Sequence, residues 1–198
     1  MISPITEAWN RISAWLQSHA PTTLQLLQPP ATEEQLQHLA TQTNLELPED
    51  FKDFYRLMNG TDPEGNGCGL FPACDEWDEM AFSPLAVEKI LQDWQLQKEL
   101  LETGNFADLE AQPGDGIAPD WWNIGWIPFA SNGGGDLYCI DLAPVPTGQK
   151  GQVIFYAHET GEHQLLAGSL ADYLNDLAIA LESNALNYDD RYGIGKKA

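Results

Sequence analysis

The stretch from Trp126 to Tyr156 constrains the fold more than any other part of the chain. It contains three short apolar runs rich in strand-forming residues, at 126–129, 137–142 and 152–156, separated by turn-forming residues. Runs of this length and spacing are typical of consecutive strands in a mostly antiparallel sheet. The glycines of the segment 132–135 can form a tight turn, because glycine adopts positive φ at little steric cost. Residues 163–167 follow a further turn and predict a returning strand.

Helical patterns surround this sheet. Capping residues or prolines that favour a helix start occur at several places, namely Ser3-Pro4, Thr32 with Gln35, Pro48, Ser83-Pro84 and Ser169. Apolar residues recur at helical spacing after each of them. The sequence therefore predicts one α+β domain over residues 1–184, with a central, mostly antiparallel sheet surrounded by helices. The polar, Gly-bearing residues 185–198 are expected to form a flexible C-terminal tail.

The charge of the chain is strongly one-sided. Its 198 residues carry 9 Lys+Arg against 30 Asp+Glu, a formal net charge of −21. Arg191, Lys196 and Lys197 fall in the last eight residues, so the first 190 residues are still more acidic. Such a field repels nucleic acid and anionic membranes and attracts cationic partners. The alternative is that the acidity only keeps the protein soluble.

Neither the N-terminus nor the cysteines indicate an extracellular or membrane protein. The first basic residue is Arg11, and no apolar run approaches the ~18–20 residues that span a bilayer, so we expect a cytoplasmic protein. Three cysteines are too few for a disulfide framework. Cys68 and Cys74 could pair or bind a soft metal, and Cys139 is expected to be buried inside a strand.

No catalytic or cofactor motif can be identified. A zinc-protease motif needs two histidines four residues apart on a helix, whereas His158 and His163 are five apart across a predicted turn. The Gly-rich turn lacks the lysine of a phosphate-binding loop. Asp136 and Asp141 flank one strand at an odd separation, which places them on opposite faces. We therefore predict no enzyme activity, no cofactor and no metal site.

Two groups of residues are candidates for partner binding. The first is an acidic loop with one tryptophan, formed by Asp75, Glu76, Trp77, Asp78 and Glu79. The second is the pair Trp121 and Trp122, which lies in an irregular segment and is expected to be exposed. Exposed aromatic side chains favour protein interfaces, and they also stack on sugars.

The order of several short motifs resembles the SUKH superfamily, in the branch of the fungal cell-wall assembly regulator and its bacterial relatives. The motifs span nearly the whole chain and are Leu47-Pro48, Asn59-Gly60, Trp126-Ile127-Pro128-Phe129-Ala130, Gly134-Gly135-Asp136 with Tyr138, Ile140-Asp141-Leu142 and Gly151-Gln152-Val153. The resemblance implies an α+β fold and no catalysis. It implies that the matching residues Trp126, Gly134, Gly135, Asp136 and Asp141 serve the fold or a partner.

The resemblance also implies a binding function, with more than one possible partner. Bacterial members are largely immunity proteins that block a toxin, often a nuclease, and an acidic inhibitor would suit a basic active groove. The leading hypothesis is therefore an immunity protein that binds and neutralises a basic toxin domain. The alternatives are a regulatory or scaffolding protein linked to cell-wall synthesis, as in fungi, and a carbohydrate or small-ligand binder that uses Trp121 and Trp122.

Overall fold

The structure, a computed structural model, describes residues 2–62, 68–74 and 80–196. The helices in these ranges are α1 (Pro4–His19), α2 (Pro21–Gln25), α3 (Glu33–Thr43), α4 (Glu49–Tyr55), α5 (Val87–Glu102) and α6 (Leu170–Glu182). The strands are β1 (Ser83–Pro84), β2 (Trp126–Ser131), β3 (Leu137–Asp141), β4 (Gln152–Tyr156), β5 (Gln164–Ala167), β6 (Leu186–Asp189) and β7 (Gly193–Lys196). Within the described ranges, no helix combines the length and the apolar character needed to cross a bilayer.

Strands β1 to β5 form one antiparallel sheet in the order of the chain. This confirms the predicted α+β fold with its central antiparallel sheet. The register pairs Trp126 with Asp141 between β2 and β3, and Asp141 with Gln152 between β3 and β4. Every residue of β3 and β4 is buried, so the middle of the sheet is covered on both faces.

Aromatic side chains cover the two faces of the sheet. On one face, Tyr138 stacks on Phe82 at a centroid distance of 3.9 Å and lies 6.0 Å from Tyr173 of α6. On the other face, Trp122 lies edge-on to Trp126 at 5.7 Å. Because side chains alternate across a strand, residues Trp126, Asp141, Gln152 and Tyr156 share this second face.

Three predicted helix starts are confirmed by hydrogen bonds at the helix termini. The Ser3 and Ser169 hydroxyl oxygens accept hydrogen bonds from the amides of Thr6 and Asp172. Thr32 and Gln35 form the reciprocal pair of a capping box. Each cap satisfies amides that have no partner inside the helix.

The helix predicted to begin at Ser83-Pro84 begins at Val87 instead. Ser83 and Pro84 form the short edge strand β1, and the Ser83 hydroxyl oxygen accepts a hydrogen bond from the amide of Gly69 at 3.0 Å. Proline is tolerated at such an edge because no neighbouring strand needs its missing N–H. The amide of Val87 donates to the Asn59 side chain at 2.8 Å, so the cap of α5 comes from a residue distant in the sequence.

The C-terminal segment differs from the flexible tail that the sequence predicts for 185–198. Its described residues form the antiparallel hairpin β6–β7. Ile194 is only 1% exposed, and its amide donates to the carbonyl oxygen of Gly69 at 2.8 Å. The amide of Ala81 donates to the carbonyl oxygen of Tyr192 at 3.0 Å. The hairpin is held because it buries an isoleucine and satisfies backbone groups of two distant segments.

Candidate functional site

The residues proposed for partner binding fall into two classes in the structure. Asp75, Glu76, Trp77, Asp78 and Glu79 lie outside the described residues, so the acidic-loop hypothesis stays a prediction. Trp121 and Trp122 are described, and they differ in exposure.

The expectation that Trp122 is exposed is wrong. Its side chain is 1% exposed, and its ring packs edge-on against Trp126 and Tyr156 at 5.7 and 5.1 Å. Burying a ring of this size removes a large apolar area from water. This favourable free energy places the ring in the core even though the backbone around it is irregular. Trp121 is partly exposed and lies against the turn at Gly161, where an added Cβ would be 2.7 Å from the Trp121 ring. The two tryptophans therefore do not form a joint stacking platform.

Asp136 is used inside the fold. Its Oδ1 accepts hydrogen bonds from the amide and Nδ1 of His158 at 3.0 and 2.8 Å, and its Oδ2 accepts one from Asn132 Nδ2 at 3.0 Å. The preceding Gly135 has φ +118°, and a Cβ there would lie 2.7 Å from the His158 ring. Glycine at 135 is thus required by the backbone and by the ring beside it. Gly134 donates its amide to Asn132 Oδ1 at 2.8 Å and completes the same turn.

Asp141 is fully buried and organises the opposite end of β3. Its carboxylate accepts hydrogen bonds from the amide of Ala143 at 2.9 Å and from Gln152 Nε2 at 2.8 Å. Gln152 Nε2 also donates to the carbonyl oxygen of Gly116 at 3.1 Å. Burial raises the pKa of Asp141, and these hydrogen bonds partly oppose that rise. Asp136 and Asp141 have separate partners, so they form no shared carboxylate pair.

The two histidines considered for a metal site lie in different environments. His158 binds Asp136 at the end of the sheet. His163 is 1% exposed, stacks on Tyr156 at 5.1 Å and accepts a hydrogen bond from the amide of Ala157 at Nδ1. Burial lowers the pKa of His163. In the described part of the chain, no three His, Cys, Asp or Glu side chains are grouped to hold a metal ion.

Two cysteines are poor nucleophiles for a physical reason. Cys68 is 5% exposed, and burial raises the pKa of its thiol to about 12. Cys139 is fully buried in β3, as the sequence predicts, and burial raises its thiol pKa as well. Because the thiolate is the reactive form, neither residue is activated for catalysis near neutral pH.

The sequence did not reveal the groove between α3 and α5. Its volume is about 420 Å³, and most of its lining is apolar. Leu39 of α3 and Val87 and Leu91 of α5 form the floor, and Gln92 and Gln95 lie along its side. One feature of the sequence could have indicated this groove. Residues 88, 91, 92 and 95 of α5 recur at helical spacing and form a second face beside the core face.

The electrostatics of the surface follow from how the basic residues are paired. Each of the six Lys and Arg residues in the first 190 positions makes an ion pair with a carboxylate of the protein: Arg11–Glu182, Lys52–Glu49, Arg56–Glu33, Lys89–Asp93, Lys98–Glu102 and Lys150–Glu46. Hydrogen bonds from Lys52 and Arg56 hold the pKa of Glu49 at about 2. Each of these cations lies beside a carboxylate, and the excess of carboxylates sets the field at the surface.

Comparison with known proteins identifies relatives over most of the chain. The model of the SMI1 / KNR4 family (SUKH-1) matches residues 30–176. The cell wall biosynthesis/cell cycle regulator smi1 of Schizosaccharomyces pombe is 25% identical over 94% of this chain. The glucan synthesis regulatory protein of Neurospora crassa is 23% identical over 94%, and the cell wall assembly regulator SMI1 of Saccharomyces cerevisiae is 22% identical over 92%.

These relatives are longer than the chain, which spans 38%, 40% and 41% of their respective lengths. The similarity thus extends over one region of each regulator. The family match covers well over half of the chain and contains the sheet and the two turns built around Asp136 and Asp141. The chain therefore belongs to the SMI1/KNR4 (SUKH-1) family.

Proposed function

We propose that this chain is a non-catalytic, protein-binding domain with a regulatory role in cell wall assembly. The role is that named for the relatives from S. pombe, N. crassa and S. cerevisiae. The proposal matches the regulatory alternative considered from the sequence. The hypothesis of toxin immunity has less support, because these relatives are named as regulators of wall or glucan synthesis.

The observation that carries the proposal is the internal pairing of all six basic residues in the first 190 positions. With a formal net charge of −21, such a surface attracts a cationic partner. Each lysine and arginine in the first 190 positions already has a carboxylate neighbour, which disfavours the binding of phosphate or nucleic acid. The family residues Asp136 and Asp141 are used in turns and buried hydrogen bonds, which supports a structural role for them. A protein partner of opposite charge is therefore the best match to this surface.

The burial of Trp122 weighs against the carbohydrate alternative. That hypothesis used Trp121 and Trp122 as neighbouring stacking surfaces, and Trp122 is 1% exposed. A single partly exposed indole at Trp121 gives a smaller platform than the hypothesis requires.

The test is capture of partners from the organism that encodes the chain. Tagged protein is used as bait at ~50 mM salt, where surface electrostatics are weakly screened, and bound proteins are released in steps of rising salt. An unrelated protein of similar size and net charge serves as the control bait. Enrichment of proteins of wall or glucan synthesis over the control supports the proposal.

Other results would contradict it. A toxin domain that binds the chain and is inhibited by it would establish immunity in place of wall regulation. The absence of any protein enriched over the control bait would remove the binding function. Association that does not slow between low and physiological salt would show that the acidic surface does not guide the encounter.

A further inference from the structure

The groove between α3 and α5 has the dimensions of a binding site for a helix. Its volume of about 420 Å³ is within the range of established ligand sites. The residues along its α5 side extend from Val87 to Gln95, which is about 12 Å at the rise of an α-helix. About two turns of a partner helix would match that length.

The groove has an apolar floor with an additional exposed leucine beside it. Leu39 and Val87 are 0% and 3% exposed, and Leu91 is partly buried against the core. Leu96 lies one turn beyond Gln92, outside the residues that line the groove, and is 53% exposed. An exposed leucine next to an apolar groove extends the area that a partner could remove from water.

The edges of the groove are acidic. Glu34 of α3 and Glu88 of α5 line it, and both are exposed. Glu88 Oε1 accepts a hydrogen bond from Gln35 Nε2, which links α5 to α3. Glu99 is exposed one turn after Gln95. Among the described residues that line the groove, none is lysine or arginine.

We infer that this groove binds a basic amphipathic helix of a partner protein. Leucine-like side chains on one face of the helix fill the apolar floor, and lysine or arginine residues on its flanks pair with Glu34, Glu88 and Glu99. An acidic or a uniformly polar helix would lack one of the two complementary features. The inference deepens the proposed function and rests on the chain being a protein-binding domain.

The probe is a synthetic helical peptide of about 18 residues with leucines on one face and lysines on both flanks. A second peptide has the same composition in an order that distributes the leucines around the helix. Fluorescence anisotropy measures both against the full chain at physiological salt. We expect the amphipathic peptide to bind at least about tenfold more tightly than the scrambled one, a difference that charge alone cannot produce.

Two double variants locate the binding surface. Gln92→Lys with Gln95→Lys introduces two positive charges along the groove, at exposed positions that a helix tolerates. Asn10→Lys with Gln17→Lys makes the same change of net charge on exposed positions of α1. The groove variant should weaken peptide binding about tenfold or more, and the α1 variant less than twofold. Circular dichroism checks that both variants keep the fold.

Three results would overturn the inference. These are equal binding of the two peptides, equal losses in the two variants, and a concentration-dependent dimer that only the groove variant abolishes. The last would assign the groove to a second copy of the chain. Partner capture is repeated with the groove variant as bait. If that variant retains the captured partners and the peptide does not bind, the groove is not the binding site, and the proposed function still stands. Peptide binding without any captured partner contradicts the proposed function.

Discussion

Replacing Gly135 by alanine tests whether the Gly134-Gly135-Asp136 motif is structural. Gly135 has φ +118°, and an added Cβ would lie 2.7 Å from both Cδ2 and Nε2 of His158. The methyl group therefore strains the backbone and also displaces the imidazole. Displacement of the ring breaks the 2.8 Å hydrogen bond between His158 Nδ1 and Asp136 Oδ1.

The loss in free energy of unfolding for Gly135→Ala has two contributions, the backbone strain and the broken hydrogen bond. Backbone strain at such a φ costs about 1–3 kcal/mol for a residue with a Cβ. A hydrogen bond to a charged group contributes about 1.5–3 kcal/mol, and the lower end applies to this partly exposed pair. Gly135→Ala should therefore lower the free energy of unfolding by about 3 kcal/mol. For a protein of this size, that corresponds to a fall in Tm of about 6–12 °C.

Urea denaturation followed by tryptophan fluorescence measures the effect, with a matched control in the same turn. Gly133 also has a positive φ, +78°, but its added Cβ would meet nothing within 4 Å. Gly133→Ala should cost only the strain, about 1–2 kcal/mol. In a His158→Ala background, Gly135→Ala should cost only the backbone strain of about 1–3 kcal/mol, because no ring remains to be displaced.

A double-mutant cycle without coupling between positions 135 and 158 would contradict a clash between the added methyl group and the His158 ring. Equal destabilisation by Gly135→Ala and Gly133→Ala would contradict it as well. Either result would mean that the close approach of His158 to Gly135 does not determine which residue the turn accepts.

Three further predictions use the same denaturation assay. Trp122→Ala should lower the free energy of unfolding by about 3–5 kcal/mol, because Trp122 is 1% exposed. Trp121→Ala should lower it by less than half of that, and equal losses would contradict the difference in burial. The pKa of His163 is lowered by burial, so the unfolded chain takes up a proton first as the pH falls below about 6.5, and stability should decrease. Stability curves at several pH values should show a shallower decrease for His163→Gln, and an unchanged slope would exclude His163 as its source. Ile194→Ala should cost about 2–4 kcal/mol if the β6–β7 hairpin is packed as described, and no loss would support the flexible tail that the sequence predicts.

Elements with local signals could be predicted from the sequence. The caps at Ser3, Thr32 and Ser169 each lie within three residues of the amide that they satisfy, so the motif contains the whole interaction. Strands β2 to β4 of the central sheet were predicted for a similar reason, because their apolar runs are bounded by turn residues.

Features that depend on distant contacts could not be predicted in this way. Ser83 resembles a helix cap, but its hydroxyl oxygen accepts a hydrogen bond from Gly69, and the cap of α5 comes from Asn59. Trp122 lies in an irregular segment whose polar surroundings indicate exposure, and only the packing of Trp126 and Tyr156 buries it. The groove between α3 and α5 is formed by two helices from separate parts of the chain, so the residue pattern of either helix alone does not reveal it.

The cap of α5 by Asn59 has a consequence for amide hydrogen exchange. The Val87 amide donates to a side chain 28 residues earlier, so its protection depends on the closed contact between the segment after α4 and the start of α5. A helix capped by its own neighbouring residue loses protection at its first turn by local fraying. At Val87, exchange instead requires the two segments to separate. The exchange rate of this one amide therefore reports how often the region around Asn59 detaches from the helix that lines the groove.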